Sequence, residues 1–300
     1  MNQRQNVVAL KPPVRPVRVG AVLANRAAGF TARAVAHWHA LLCAVAALNA
    51  LIWGLSAGWV LRADAQSPGW TASHWQLLLS AGYVFGCAFR SILPVYDIPR
   101  VVVVDSRLSS IVIGRSVATV AELCFAAQWA LLLHGMAVSG DSQLVRFVSL
   151  MIVPLVLVAE LCSWFAVLTT EQRAHALENS IWGLAAAIVV GSLLVIEPHR
   201  IGGLYVPFMT WCVGGAAYVA YLFLFDVPLY WSRWRADRAS GRRPLPIAQG
   251  LIDTCRSRYV CHRWEVWKSE VLWMSLYFTF GVWCSVSLVY ASVSPGAHTL

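Results

Sequence analysis

Charge is scarce in this sequence. Of its 300 residues only 12% are Asp, Glu, Lys or Arg, while 59% are hydrophobic. A water-soluble domain carries about 25% charge, so a disordered chain and an ordinary soluble globule are both excluded. Lysine is nearly missing: Lys11 and Lys268 stand against 21 arginines, a bias that points to a GC-rich genome and hence to a bacterium. Also missing are the Gly-rich phosphate loop, the Gly-x-Ser-x-Gly elbow, paired histidine boxes and a signal peptide with a cleavage site. The eight cysteines form no disulfide framework. One of them sits in each apolar stretch except the fifth, where a small apolar filler is the expected role. Cys255-x5-Cys261-His262 does not have zinc-finger spacing.

Long apolar runs are present in place of charge. A bilayer core takes roughly 20 residues of helix, and seven stretches qualify: Ala40–Leu61, Trp70–Phe89, Ser116–Val138, Phe147–Thr170, Ser180–Ile196, Leu204–Phe225 and Val271–Val293. They are too long for soluble-core strands, and the alternating strands of an outer-membrane barrel are absent. The fold class expected is therefore all-α, a polytopic bundle of about seven transmembrane helices.

Basic residues assign the sides, because cytoplasmic loops hold the excess of Lys and Arg. With seven spans, 20 basic residues fall on one side and only Arg62, Arg146 and Arg200 on the other. This predicts a cytoplasmic N-terminus and an extracytoplasmic C-terminus in the inner membrane of a bacterium. It also accounts for the net charge of +9 without nucleic acid. Residues 1–36 read as a disordered basic tail. Residues 37–300 read as one membrane domain with cytoplasmic loops at 90–115 and 227–270. Within 90–115 a surface-lying or re-entrant helix, or an extension of the third span, is expected. Tyr259–Trp267 reads as an interfacial aromatic run. The outer loops carry turn chemistry at Ser67-Pro68-Gly69, Gly140-Asp141-Ser142 and Glu197-Pro198, which leaves little room for an extracytoplasmic domain.

An acid inside a span costs about 2.5–3.5 kcal/mol even on the lenient insertion scale and demands a reason. Two spans hold one each, Glu122 and Glu160, within the echoed pentapeptides Val120-Ala121-Glu122-Leu123-Cys124 and Val158-Ala159-Glu160-Leu161-Cys162. Both fall in the cytoplasmic half, roughly 9 and 15 Å from that end at the helical rise. Thr169-x-x-Gln172 has the capping-box pattern, so residues 171–196 read as one helix behind a tight turn. Antiparallel pairing then sets Glu160 level with Asn179, beside His175 and Glu178. Glu171, His175, Glu178 and Trp182 share one helix face, as do Arg115, Thr119 and Glu122.

Glu122, Glu160 and Glu178 are the candidate catalytic groups, and with His175 they are candidate ligands for iron, manganese or zinc. The match to a bundle di-metal site is partial, because His175-x-x-Glu178 is reversed and occurs once. A second imidazole would have to come from His37, His39 or His262. Arg115 is a candidate counter-ion. Arg90, Asp97, Arg100 and Arg115 could make an anion or phospholipid-headgroup site, since bidentate arginine suits phosphate, or they could be ordinary positive-inside charge. Haem is not expected, because only His134 lies well inside a span, and retinal is not expected, because the seventh span has no lysine. Three roles stay open: a membrane enzyme, metal-dependent or not, on a lipid-like substrate; a proton- or ion-coupled carrier using Glu122 and Glu160; and a non-catalytic subunit with membrane-protein partners or a homo-oligomer. A structural polar clasp of the same residues is the bland alternative.

Overall fold

A computed structural model describes residues 18–64, 70–195 and 205–293. The chain is an all-α bundle in which ten helices follow in order among the described residues: α1 Arg18–Ala63, α2 Ala72–Ile92, α3 Ile111–Ser139, α4 Gln143–Thr169, α5 Gln172–Val195, α6 Tyr205–Tyr221, α7 Val227–Ala239, α8 Ile247–Arg256, α9 Trp264–Leu276 and α10 Val282–Val293. Two of the junctions are π-helical. Leu222–Asp226 joins α6 to α7, and Tyr277–Gly281 joins α9 to α10. Each pair of helices thus runs on as one long rod.

Six helical stretches among the described residues are long and apolar enough to cross a membrane, as expected of an integral multi-pass protein. The second apolar stretch forms α2 but is less hydropathic, because it carries Ser73, Gln76, Ser80 and Ser91, all buried. These residues face other helices. Gln76 Nε2 donates to the Gln128 carbonyl at 2.9 Å, and Gln128 Nε2 donates to the carbonyls of Gln76 and Ser285 at 3.2 and 3.1 Å. Ser285 Oγ donates to Gln128 Oε1 at 2.5 Å. A buried amide without such partners would be costly, so this polar seam sets how α2, α3 and α10 meet. Consecutive helices pack side by side from α1 to α6, and α10 returns to pack on α1, α2 and α3.

The far half of the bundle is filled by an apolar cluster that includes Leu133, Val145, Ile152, Leu193 and Leu288. The other end is capped differently. Here α3 extends the third span back to Ile111, and in place of a surface-lying or re-entrant helix stand two short strands, β1 Val95–Tyr96 and β2 Val101–Val102, and a 3-10 turn, Arg107–Ser109. Pro94 and Pro99 break a helix, and the β-branched run Val101–Val104 favours a strand. β1 pairs antiparallel with β2, and β2 pairs parallel with β3, Tyr259–Val260.

Several other expectations are corrected. α1 begins at Arg18, so only residues 1–17 of the expected tail lie outside the described residues; the stretch from Arg18 onward is alanine-rich and free of proline. Thr169 is the last residue of α4 and its Oγ1 bonds back to the Phe165 carbonyl at 2.6 Å, so it does not cap α5; the turn is made instead by Thr170 at φ 60°. Within the aromatic run Trp267 is fully buried against Trp38, whereas Tyr259 is exposed. The 227–270 segment is largely helical, and within it α8 packs on α4 and α3 while exposing Ile247, Leu251 and Ile252. The turns expected at Ser67-Pro68-Gly69 and Glu197-Pro198 lie outside the described residues.

Candidate functional site

Arg115 lies one turn into α3, with Thr119 and Glu122 following on the same face at i+4 and i+7. Its guanidinium is the hub of a buried cluster. One terminal nitrogen donates to Glu160 Oε2 at 2.5 Å and to Glu122 Oε2 at 3.2 Å. The other stands 3.8 Å from Glu178 Oε1. Thr119 Oγ1 donates to Glu160 Oε2 at 2.6 Å and accepts from Trp164 Nε1 at 3.0 Å. His175 Nδ1 is 2.6 Å from Glu178 Oε2. Three helices therefore supply three glutamates, and one oxygen from each lies within 4.8 Å of the others. All three are buried, Glu160 to 1% exposure, and its Oε1 has no hydrogen-bond partner.

The helix hairpins explain the convergence. Glu160 lies nine residues before the end of α4 and Glu178 six after the start of α5, so the tight α4–α5 turn brings them to similar depth. The two glutamates of the echoed pentapeptides meet the same arginine. His175 holds Glu178 instead of joining the three clustered oxygens. Among the described residues no second imidazole arrives: His39 Nε2 bonds the Ile92 carbonyl, His262 Nε2 the Val103 carbonyl and His134 Nδ1 the Ser149 hydroxyl, while His37 is exposed.

The cluster borders a polar cavity of about 110 Å³ beneath β1. Its opposite wall is made by residues that sequence reasoning did not single out: Tyr218, Asp226, Tyr230, Arg233, Glu270 and Tyr277. Arg233 lies 3.6 Å from Glu270 Oε1 and over the rings of Tyr96 and Tyr230, at 5.9 and 5.3 Å. The Tyr230 ring is 5.1 Å from that of His175, which ties the two walls together. The available sequence signal was Asp226 and Glu270, the acids nearest the ends of the sixth and seventh apolar stretches. Tyr96, on the capping sheet, has its phenol pushed up to about 12 by burial and by the nearby Glu270.

The other arginines are occupied. Arg90 donates to the carbonyls of Gly114 and Val95. Arg100, at φ 70°, bonds the carbonyls of Asp97 and Val167 and pairs with Asp253 at 2.9 Å. Arg100 thus locks a strained turn between β1 and β2 and does not line the cavity, whereas Asp97 and Arg90 do. The chain matches no protein-family model, no curated protein and no solved structure.

Beside the polar cavity lies a larger apolar pocket of about 420 Å³, walled by α3 to α6 and by the α9–α10 rod. Trp182, Tyr218, Trp273 and Tyr277 line both spaces. π-Helical turns occur mostly as single insertions and often at functional sites. Here one contributes Asp226 to the polar cavity, and the other contributes Tyr277 to both spaces and Gly281 to the apolar pocket.

Proposed function

We propose that the protein is a membrane enzyme acting on a lipid-like substrate, with Glu122, Glu160 and Glu178 as the ligands of a divalent metal. The observation that carries this reading is the convergence of three carboxylate oxygens within 4.8 Å at a cavity that adjoins an apolar pocket. Three buried carboxylates share one guanidinium, so the cluster calls for further positive charge, from protons or a metal ion. Unpaired carboxylates are costly in a low-dielectric interior, and a divalent cation held by the three oxygens would meet that cost. Carboxylate ligands suit iron, manganese or zinc. His175, bonded to Glu178, would orient that ligand as outer-shell partners do. The metal would supply Lewis-acid or redox chemistry; the chain positions it and excludes bulk water.

The same reading places seven spans in a bacterial inner membrane, N-terminus inside, with the site in the cytoplasmic half. The 20-to-3 division of basic residues supports it. The carrier alternative is less favoured, because the cavity adjoins a pocket whose walls are almost wholly apolar.

Protein purified from metal-replete cells should contain close to one divalent ion per chain by elemental analysis, and Glu178→Gln should lose most of it. A metal-free wild-type preparation that also fails to bind added iron, manganese or zinc would end the metal reading. Proton-coupled flux in proteoliposomes, abolished by Glu122→Gln, would favour the carrier.

A further inference from the structure

The apolar pocket and the chemistry of the polar cavity together say more than "lipid-like". We infer that the two spaces form one site for a single-chain cationic amphiphile, its hydrocarbon tail in the apolar pocket and an ammonium head in the acidic cavity. The inference rests on the lipid-substrate reading above and adds the class of head and tail.

The tail comes first. Protein interiors are close-packed, with few voids larger than a water molecule. A space of about 420 Å³ falls in the range of small-molecule sites. Its walls are almost wholly apolar, with Phe125, Trp129, Ile152, Val189 and Trp211 among them. Apolar cavities of this kind stay dry and take apolar guests. The pocket lies inside a ring of helices and adjoins the polar cavity through four shared aromatic residues. A chain filling it therefore brings its polar end toward the carboxylates.

The head follows from charge. Five carboxylates and three guanidinium groups line the polar cavity, and Glu160 joins the cluster at its wall. Acidic groups therefore outnumber guanidinium groups by three. An ammonium head meets this excess of acids whether or not a metal ion sits on the glutamates. An anionic head meets the opposite situation, because each of the three lining arginines is already engaged by a carboxylate or a carbonyl. The aromatic lining points the same way, since aromatic faces bind organic cations. Arg233 shows this chemistry within the cavity, lying over Tyr96 and Tyr230.

The test uses the full chain in nanodiscs of zwitterionic lipid, with empty discs as the blank and a chelator throughout. Displacement of radiolabelled tetradecyltrimethylammonium is measured against three C14 probes: the trimethylammonium itself, the alcohol and the phosphate. The ammonium should bind at least about tenfold more tightly than the phosphate, as one desolvated cation–π contact allows. Ala186→Phe and Val190→Trp fill the pocket and should each weaken all probes about tenfold. Trp129→Ala enlarges it and should shift the preferred chain length upward, which separates tail binding from misfolding. Asp226→Asn should weaken the ammonium and leave the alcohol unchanged. Equal binding of the three heads, preference for the phosphate, or indifference to all three pocket variants would overturn the inference. Because the chelator removes any metal, loss of the metal reading leaves the expected binding intact. Absence of amphiphile binding in a protein that still loads metal would remove this inference alone.

Discussion

Replacing Arg115 by methionine tests the centre of the site directly. The side chain is 7% exposed and its guanidinium touches Glu160 at 2.5 Å and Glu122 at 3.2 Å, with Glu178 at 3.8 Å. Methionine keeps the length and the apolar stem but removes the guanidinium that these three acids share. Breaking a buried pair by removing one partner costs about 3–5 kcal/mol, because the other charge stays buried and unpaired. Two contacts at hydrogen-bonding distance put Arg115→Met at the upper part of that range. Adding Glu160→Gln removes one orphaned charge while its Oε1 can still accept and its amide can donate, so the double variant should recover part of the loss. Residues in one network couple by about 0.5–3 kcal/mol. The assay is equilibrium unfolding in mixed micelles for wild type, both single variants and the double variant. If Arg115→Met stays within about 0.5 kcal/mol of wild type, as surface substitutions do, or if the two substitutions are additive, then the arginine does not compensate the carboxylates and the electrostatic argument for a cation fails.

Three further predictions concern the frame around the site. A Cβ at Gly250 would stand 1.8 Å from the Leu168 carbonyl oxygen, so Gly250→Ala should undock α8 despite alanine's better helix propensity; faster amide exchange over α8 and the end of α4 would show it, and unchanged exchange would contradict the close approach. Gln128→Ala removes the centre of the α2–α3–α10 seam and should cost about 1–3 kcal/mol through unsatisfied buried partners, read as a lower denaturant midpoint. The Tyr96 phenol, pushed up to about 12 from about 10 when unfolded, stabilises the fold fully below pH 10, and that stability is lost as pH rises through 12; Tyr96→Phe should flatten this alkaline limb, and a limb of unchanged steepness would mean that another group causes it.

How much of this was legible in the sequence differs from element to element. Scarce charge and apolar runs longer than any soluble strand determined a helical membrane protein, because lipid offers the backbone no partner outside the helix. α2 shows where composition misleads: its serines and Gln76 lower its hydropathy, yet they are buried, and only the partners Gln128 and Ser285 explain why that is tolerated. The glutamates were legible for a local reason. Helical period placed Glu122 two turns from Arg115, and a two-residue turn paired α4 with α5, so Glu160 and Glu178 had to lie at similar depth.

Tertiary structure alone decided the rest. The strands at 95–102 pair with residues 259–260, a contact across more than half the chain that no local pattern encodes. The opposite wall of the cavity comes from helices far away in sequence, and the two π-helical turns that help to line it have no sequence signature. Charge scarcity therefore determined which residues needed an explanation. The packing of the helices decided what surrounds them: a single guanidinium against three carboxylates, and beside them a space with almost wholly apolar walls.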